Sequence, residues 1–235
     1  MRKTIDKMIR TKFSFLLPIL LPISSMLFKR KYAHSSNESI FTDKFKNNLW
    51  GSKESRSGQG SELAQTKILR EQLPNLLTEL KIKSMLDIPC GDFNWLKEVD
   101  LSFLSYVGAD IVEELIHYNN ENYNSENRKF LKLDIINDNL PKVDLILCRD
   151  LFIHFSYKDI FKSLDNIKKS GCKYLLTTSY PLTKKNLDIL TGQWHYLNLL
   201  IPPFSFPKPM MIIDEKSSEK GIQNKNLLLW NISDL

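Results

Sequence analysis

The sequence predicts an α/β protein with a doubly wound, mostly parallel sheet and helices on both of its faces. Short apolar runs alternate with amphipathic stretches along most of the chain, which is typical of repeated strand–helix units. Four of these runs are followed closely by an aspartate. The chain has 235 residues, of which 42% are hydrophobic and 26% charged, so it has globular composition and the length of one domain with an extension.

Seven short runs are rich in apolar and β-branched side chains, and their lengths suit buried strands. In chain order they are residues 83–88, 105–110, 129–134, 143–148, 172–178, 210–214 and 226–232.

Leucine and isoleucine spacing after Ser61 predicts a helix, and Pro74 is expected to end it and start a second short one. Further on, Ser156 with Asp159 three residues later predicts a capped helix start, and Gly171 predicts where that helix stops. The remaining predicted helices are residues 95–99 and 112–122.

The N-terminal part has a different character. We expect residues 1–45 to be a basic, apolar and partly helical extension with a polar linker over residues 34–48, and residues 46–235 to be the domain. The apolar run 13–28 follows a basic stretch but is shorter than the roughly 20 residues that span a bilayer. This run has three possible roles: it anchors the protein at a membrane interface, it packs on its own domain, or it directs export. The expectation is a cytoplasmic protein with peripheral membrane contact through this run.

Charge, cysteine and histidine content limit the partners, disulfides and metal sites that we expect in this protein. The net charge is +6, and many of the basic residues lie near the N-terminus, so nucleic acid is not an expected partner. The three cysteines, Cys90, Cys148 and Cys172, lie in apolar runs without a C-x-x-C pair, which predicts buried free thiols. The four histidines have no zinc-ligand spacing, and no metal is expected.

The ends of the predicted strands indicate a ligand. Asp87, Asp110, Asp134 and Asp150 follow four strands, and parallel α/β sheets bind ligands at this edge. The first turn has a single glycine, Gly91, so both the G-x-G-x-x-G pattern and a phosphate loop are missing. A ligand with a ribose, no phosphates and a cationic centre satisfies both facts.

These segments resemble the class I S-adenosylmethionine (SAM)-dependent methyltransferases. The resemblance lies in LDIPCG at 86–91, VGAD at 107–110, LKLD at 131–134 and DLILCRD at 144–150. More narrowly, residues from about 50 to 235 resemble a bacterial group of uncharacterised methyltransferase-domain proteins. The resemblance implies SAM as cofactor and a Rossmann-like sheet of seven strands, the last inserted antiparallel.

The resemblance also implies site roles. It gives Asp87 and Gly91 to the methionine end of SAM, Asp110 to the ribose hydroxyls and Asp134 to the adenine amine. The full set of expected cofactor contacts is Asp87, Pro89, Gly91, Asp92, Asp110, Ile111, Asp134, Ile135 and Arg149.

Candidate catalytic residues follow the fourth strand. Asp150 and His154 are four positions apart and would share one face of a helix, where either can deprotonate a hydroxyl acceptor. Packing roles are the alternative for both, and His195 is a further candidate. We expect the aromatic, Pro-rich loop 191–209 to form an acceptor pocket or a strap over the sheet edge, and residues 51–61 to form a lid or a linker.

The sequence therefore favours a methyltransferase that acts on a small molecule or glycan, at oxygen. A non-catalytic SAM-binding module is the alternative. A nucleic-acid methyltransferase is disfavoured because no base-flipping signature follows the fourth strand, and a nicotinamide oxidoreductase because the glycines are missing.

Overall fold

The computed structural model describes residues 26–218 and 224–235. Most of the apolar run 13–28 lies outside these residues, and so does the question of its membrane contact. Across the described ranges, no helix has both the length and the apolar character needed to cross a membrane.

The centre of the molecule is a seven-stranded sheet in the order β3-β2-β1-β4-β5-β7-β6. Neighbouring strands from β3 to β5 are parallel, while β7 lies between β5 and β6 and is antiparallel to both. This confirms the expected strand number and the inserted antiparallel strand. The strands are β1 Ser84–Asp87, β2 Ser105–Asp110, β3 Arg128–Lys132, β4 Leu145–Cys148, β5 Tyr174–Ser179, β6 Met211–Asp214 and β7 Asn226–Asn231.

Helices cover both faces of the sheet, and each face has its own apolar cluster. The α-helices are α1 Asn37–Lys46, α2 Lys67–Glu79, α3 Glu113–Tyr123 and α4 Tyr157–Lys169. Short 3-10 helices occupy Gln59–Ser61, Leu96–Glu98, Phe152–His154 and Ile232–Asp234. The buried leucines of α2 pack on one face, and Ile160, Leu164 and Ile167 of α4 pack on the other.

The predicted boundaries of α4 are confirmed. Ser156 Oγ accepts a hydrogen bond from the Asp159 amide, which satisfies one of the free donors at the helix start. The helix ends before Gly171, whose φ of +70° is a left-handed conformation that favours glycine.

Two predictions are wrong. Pro74 does not start a new helix, because α2 continues through it to Glu79. Residues 34–48 are not a linker, because most of them form α1, with Ser36 as its N-cap. Ile40 and Phe41 are the buried residues of this otherwise polar helix, and Phe41 packs against Trp50 and Phe155. The helix thus belongs to the folded body of the protein and crosses the expected boundary at residue 45.

Substitution of Phe41 tests this placement. Phe41→Ala should lower the free energy of unfolding by about 3 kcal/mol, since a buried ring is replaced by a cavity. Phe103→Ala is the matched control because Phe103 is 43% exposed, and its loss should stay below about 1 kcal/mol. Equal losses in urea unfolding would show that α1 does not pack on the domain.

Candidate functional site

A cavity of about 1100 Å³ opens at the carboxyl ends of the parallel strands, where the strand order reverses between β1 and β4. Ten of the eleven predicted site residues line it. They are Asp87, Pro89, Gly91, Asp110, Ile111, Asp134, Ile135, Arg149, Asp150 and His154. The topology thus brings together residues spread over 68 positions of the sequence.

Asp87 ends β1 and is 4% exposed. Its Oδ2 accepts a hydrogen bond of 2.8 Å from the Tyr106 hydroxyl. Burial raises the pKa of Asp87 to about 7, although the Tyr106 hydrogen bond and the charge of Arg149 both oppose the rise. The carboxylate is therefore poised to ionise when a cation comes close.

Asp110 ends β2, beside Asp87, and is 6% exposed. Its two oxygens accept from the backbone amides of Gly91 at 3.2 Å and Val112 at 2.9 Å. Burial raises the pKa of Asp110 to about 6, and these backbone hydrogen bonds limit the rise. A carboxylate oxygen has two acceptor positions, so each oxygen keeps one for a hydroxyl donor.

The residues that follow β2 and β3 form a wall with apolar and acidic side chains. Ile135 is buried and Ile111 is half-buried, which suits contact with a flat apolar ring. Asp134 lies two residues beyond the end of β3, where its oxygens accept from the Ile136 amide and the Asn137 side chain. Asp134 lines the cavity, but these partners hold it in a local turn.

Asp92 does not line the cavity, which corrects its expected role. Its oxygens instead accept hydrogen bonds from the Ser55 and Ser57 hydroxyls and from the Arg56 amide, at 2.7–2.9 Å. Asp92 is therefore a positioning residue that holds residues 51–61 against the β1 turn. That segment is ordered by these bonds rather than a free linker, and Ser57 to Ser61 line the cavity.

Two glycines permit this close approach. A β-carbon on Gly91, whose φ is +54°, would lie 2.1 Å from Ser57 Oγ. A β-carbon on Gly60 would lie 3.1 Å from Asp150 Oδ2. The backbone of residues 51–61 can therefore reach the site only because these positions lack side chains.

A charge cluster closes one side of the cavity, and it consists of the buried residues Arg149, Glu215 and Lys225 with the partly buried Asp150. Arg149 donates to Glu215 Oε2 at 2.6 Å and to the Gly60 carbonyl at 2.8 Å. Lys225 pairs with both Asp150 and Glu215. The two negative and two positive charges cancel, so the cluster has no net charge. Through the Arg149 hydrogen bond to Gly60, it also holds residues 51–61 against the sheet.

Asp150 is locked within this charge cluster. Its φ is +60°, its amide donates to Thr178 Oγ1, and its Oδ1 accepts from the same hydroxyl. Burial acts to raise the pKa of Asp150, but Lys225 and Arg149 outweigh it and hold the pKa well below the usual range. A carboxylate of this kind is a fixed negative charge and a poor proton acceptor.

His154 has the opposite character. Its Nδ1 lies 2.8 Å from the Gln193 carbonyl, which can only accept, so Nδ1 carries the proton. Burial, assisted by the charge of Lys44, lowers the pKa of His154 to about 4. The imidazole is thus neutral near pH 7. Within residues 26–218 and 224–235, no group forms a hydrogen bond to Nε2, which leaves its lone pair available.

The loop 191–209 has two parts. Its first part lines the cavity, and the Gly192 and His195 amides donate to the carbonyls of His154 and Ile153. Its second part is a strap, in which the Pro207 carbonyl accepts from Trp230 Nε1. Both ring nitrogens of His195 face carbonyl oxygens of the protein. His195 therefore holds the loop in place, and neither nitrogen is open to accept a proton from a ligand.

Tyr180 of the cavity wall and Glu215 and Lys225 of the charge cluster are among the residues that were not predicted from the sequence. Glu215 and Lys225 lie 66 and 75 positions beyond their partners, and only the insertion of β7 beside β5 brings them close. Tyr180 comes directly after β5 and lines the cavity. Its position at a strand end was the one signal that could have drawn attention to it.

Among known proteins, this chain has relatives by fold rather than by sequence. No family model matches it, and neither does any curated protein. Among solved structures, the N-methyltransferase NodS from Bradyrhizobium japonicum aligns with 72% of this chain and 96% of its own, at 12% identity and a TM-score of 0.55. The fold is that of the class I methyltransferases.

Two further structures have lower TM-scores. A SAM-dependent methyltransferase from Clostridium acetobutylicum is 20% identical over 48% of this chain, with a TM-score of 0.42, and the match spans about half (51%) of that enzyme. Human N-acetylserotonin methyltransferase in complex with SAM is 13% identical over 85% of this chain and 68% of its own, with a TM-score of 0.49.

Removal of Arg149 tests the charge cluster. Arg149→Met should lower the free energy of unfolding by about 3 kcal/mol, because the acids Asp150 and Glu215 are then left with Lys225 as their one remaining partner in the cluster. The double variant Arg149→Met/Glu215→Met should lose clearly less, since Asp150 and Lys225 remain as a neutral pair. Additive losses in urea unfolding would contradict the coupling.

Proposed function

We propose that this protein is a SAM-dependent methyltransferase whose acceptor is the hydroxyl of a small molecule or glycan. The observation that carries the proposal is the pair of buried carboxylates, Asp87 and Asp110, at the carboxyl ends of adjacent strands in a methyltransferase fold. A cation and a ribose can satisfy both carboxylates, and the turn between them has no glycine-rich cradle for a diphosphate.

The residues present fit SAM. Asp110 keeps free acceptor positions for ribose hydroxyls, and Asp87 offers a carboxylate to a cationic ammonium. Ile111 and Ile135 offer apolar contact to adenine. Arg149 is better described as a positioning residue, because its guanidinium bonds to Glu215 and Gly60.

When bound, SAM supplies a methyl group that its sulfonium already activates for displacement. The chain has to orient the acceptor, exclude water and take up one proton. The acceptor hydroxyl loses this proton as its oxygen gains the methyl group. We assign the proton to Nε2 of His154, since Nδ1 already carries one and Asp150 is too strongly paired to act.

Binding measurements test the proposal directly. In isothermal titration the wild type should bind SAM and its demethylated product, but not NAD. Asp110→Ala should weaken SAM binding by roughly 1–3 kcal/mol, because ribose hydroxyls lose their acceptor. Asp100→Ala, at an exposed position, is the matched control. Unchanged affinity in Asp110→Ala would refute the ribose assignment, and NAD binding would refute the function.

The affinity for SAM should depend on pH. Asp87 and Asp110 have raised pKa values of about 7 and about 6, so both carboxyls are largely protonated at pH 5.5 and ionised at pH 8. A cationic ligand needs the ionised form, so SAM affinity should rise roughly tenfold between these pH values. Asp87→Asn should flatten the profile, and an affinity that falls with rising pH would contradict this account.

His154→Gln tests the proton acceptor. Incubation of cell extract with isotopically labelled SAM, followed by mass spectrometry, should find a labelled product with the wild type. The variant should lower the initial rate roughly 100-fold and leave the dissociation constant for SAM unchanged, because only proton transfer is lost. SAM binding without a labelled product from the wild type would favour a non-catalytic binding module instead.

A further inference from the structure

One side of the cavity is built from aromatic rings that the cofactor contacts do not use. Tyr180 packs edge-on against Tyr196 with ring centroids 5.1 Å apart, and Trp194 lies 4.5 Å from Tyr196 at an angle of 74°. Tyr180 and Trp194 are also nearly perpendicular, at 6.3 Å. The three rings, which we name the aromatic corner, therefore present surfaces in different directions.

The Tyr180 hydroxyl is the unusual group in this corner. The residue is 1% exposed, and its hydroxyl forms no hydrogen bond with any group in residues 26–218 and 224–235. A buried hydroxyl without a partner destabilises a protein by roughly 1–3 kcal/mol, so such groups are usually paired. A donor left unpaired in the wall of a cavity indicates a partner that enters the cavity.

The aromatic corner is held in a fixed position. The Tyr180 amide donates to the Leu197 carbonyl at 2.8 Å, and the Gly192 amide donates to the His154 carbonyl at 2.7 Å. Tyr180, directly after β5, and the 3-10 helix Phe152–His154 thus hold both ends of the segment that carries Trp194 and Tyr196. A ligand meets a preformed surface, which reduces the entropy lost on binding.

The charge cluster beside the aromatic corner is balanced, which favours a neutral ligand there. The Tyr180 hydroxyl lies within electrostatic range of Asp150 and Glu215, but Arg149 and Lys225 neutralise both. His154, on the same cavity wall, is uncharged near pH 7. The corner therefore offers aromatic faces and hydrogen bonds beside a balanced charge cluster, while Lys44, Lys185 and Asp188 are further charged residues of the cavity lining.

We infer that the aromatic corner is the acceptor subsite, that it takes an uncharged ring bearing a hydroxyl, and that the Tyr180 hydroxyl donates a hydrogen bond to that ring's oxygen. The inference deepens the proposed function and rests on it. Both a phenolic ring and a sugar ring have this chemistry, since aromatic side chains contact the flat face of either. Tyr180 would fix the acceptor oxygen in place while Nε2 of His154 takes the proton.

Saturation-transfer NMR on the full chain with SAH, the demethylated product of SAM, tests the subsite. The probes are phenol, methyl β-D-glucopyranoside and, as a charged ring, benzylamine. Phenol or the glucoside should give a signal, and whichever binds identifies the acceptor as aromatic or sugar. Benzylamine should bind more weakly than that probe. Tyr180→Phe should weaken binding of the same probe about tenfold. Tyr174→Phe, at the start of the strand that leads to Tyr180 but outside the cavity, should not.

Thermal unfolding without ligand gives an independent readout. Because the Tyr180 hydroxyl has no partner in the protein, Tyr180→Phe should leave Tm unchanged or raise it. A Tm several degrees lower than that of Tyr174→Phe would overturn the inference, since the hydroxyl would then have a structural partner.

The two hypotheses fail in different ways. Binding of SAM and SAH without either neutral ring, or ring binding that Tyr180→Phe leaves unchanged, overturns the subsite alone. A wild type that binds neither SAM nor SAH overturns the proposed function, and the subsite with it.

Discussion

Two carboxyl groups buried side by side at the end of a sheet are the constraint on which this structure depends. Asp87 and Asp110 end neighbouring strands, and burial raises both of their pKa values. A buried carboxylate is stable only when it is paired or hydrogen-bonded. The Tyr106 hydroxyl and two backbone amides meet part of this need, and a cationic, hydroxyl-bearing ligand would meet the rest.

The charged side chains on the opposite wall of the cavity, in contrast, are balanced by one another and need no ligand. Across the cavity, Arg149, Asp150, Glu215 and Lys225 pair with one another, and Arg149 also holds the Gly60 carbonyl. The same cavity thus has one wall whose carboxylates have capacity for a ligand and one wall whose charges are already satisfied. Under the proposed function, this difference separates the residues that would bind the cofactor from those that position residues 51–61.

Much of the fold could be predicted from the sequence, because buried parallel strands are short apolar runs and acidic residues mark their ends. The runs that end in Asp87 and Asp110 were of this kind, and both residues line the cavity. Helix α1 was missed because only Ile40 and Phe41 of its ten residues are buried, which leaves a polar composition. The role of Lys225 could not be predicted from the sequence, because its partner Asp150 lies 75 positions away. The two residues come into contact only because the sheet brings β7 beside β5.

The central claim is that the cavity between β1 and β4 binds an adenosyl ligand through Asp87 and Asp110. A crystal structure of the protein with SAH measures this most directly. The account predicts the ribose hydroxyls within hydrogen-bond distance of Asp110 and the ammonium beside Asp87. An empty cavity at saturating SAH, or the ligand bound elsewhere on the chain, would contradict it.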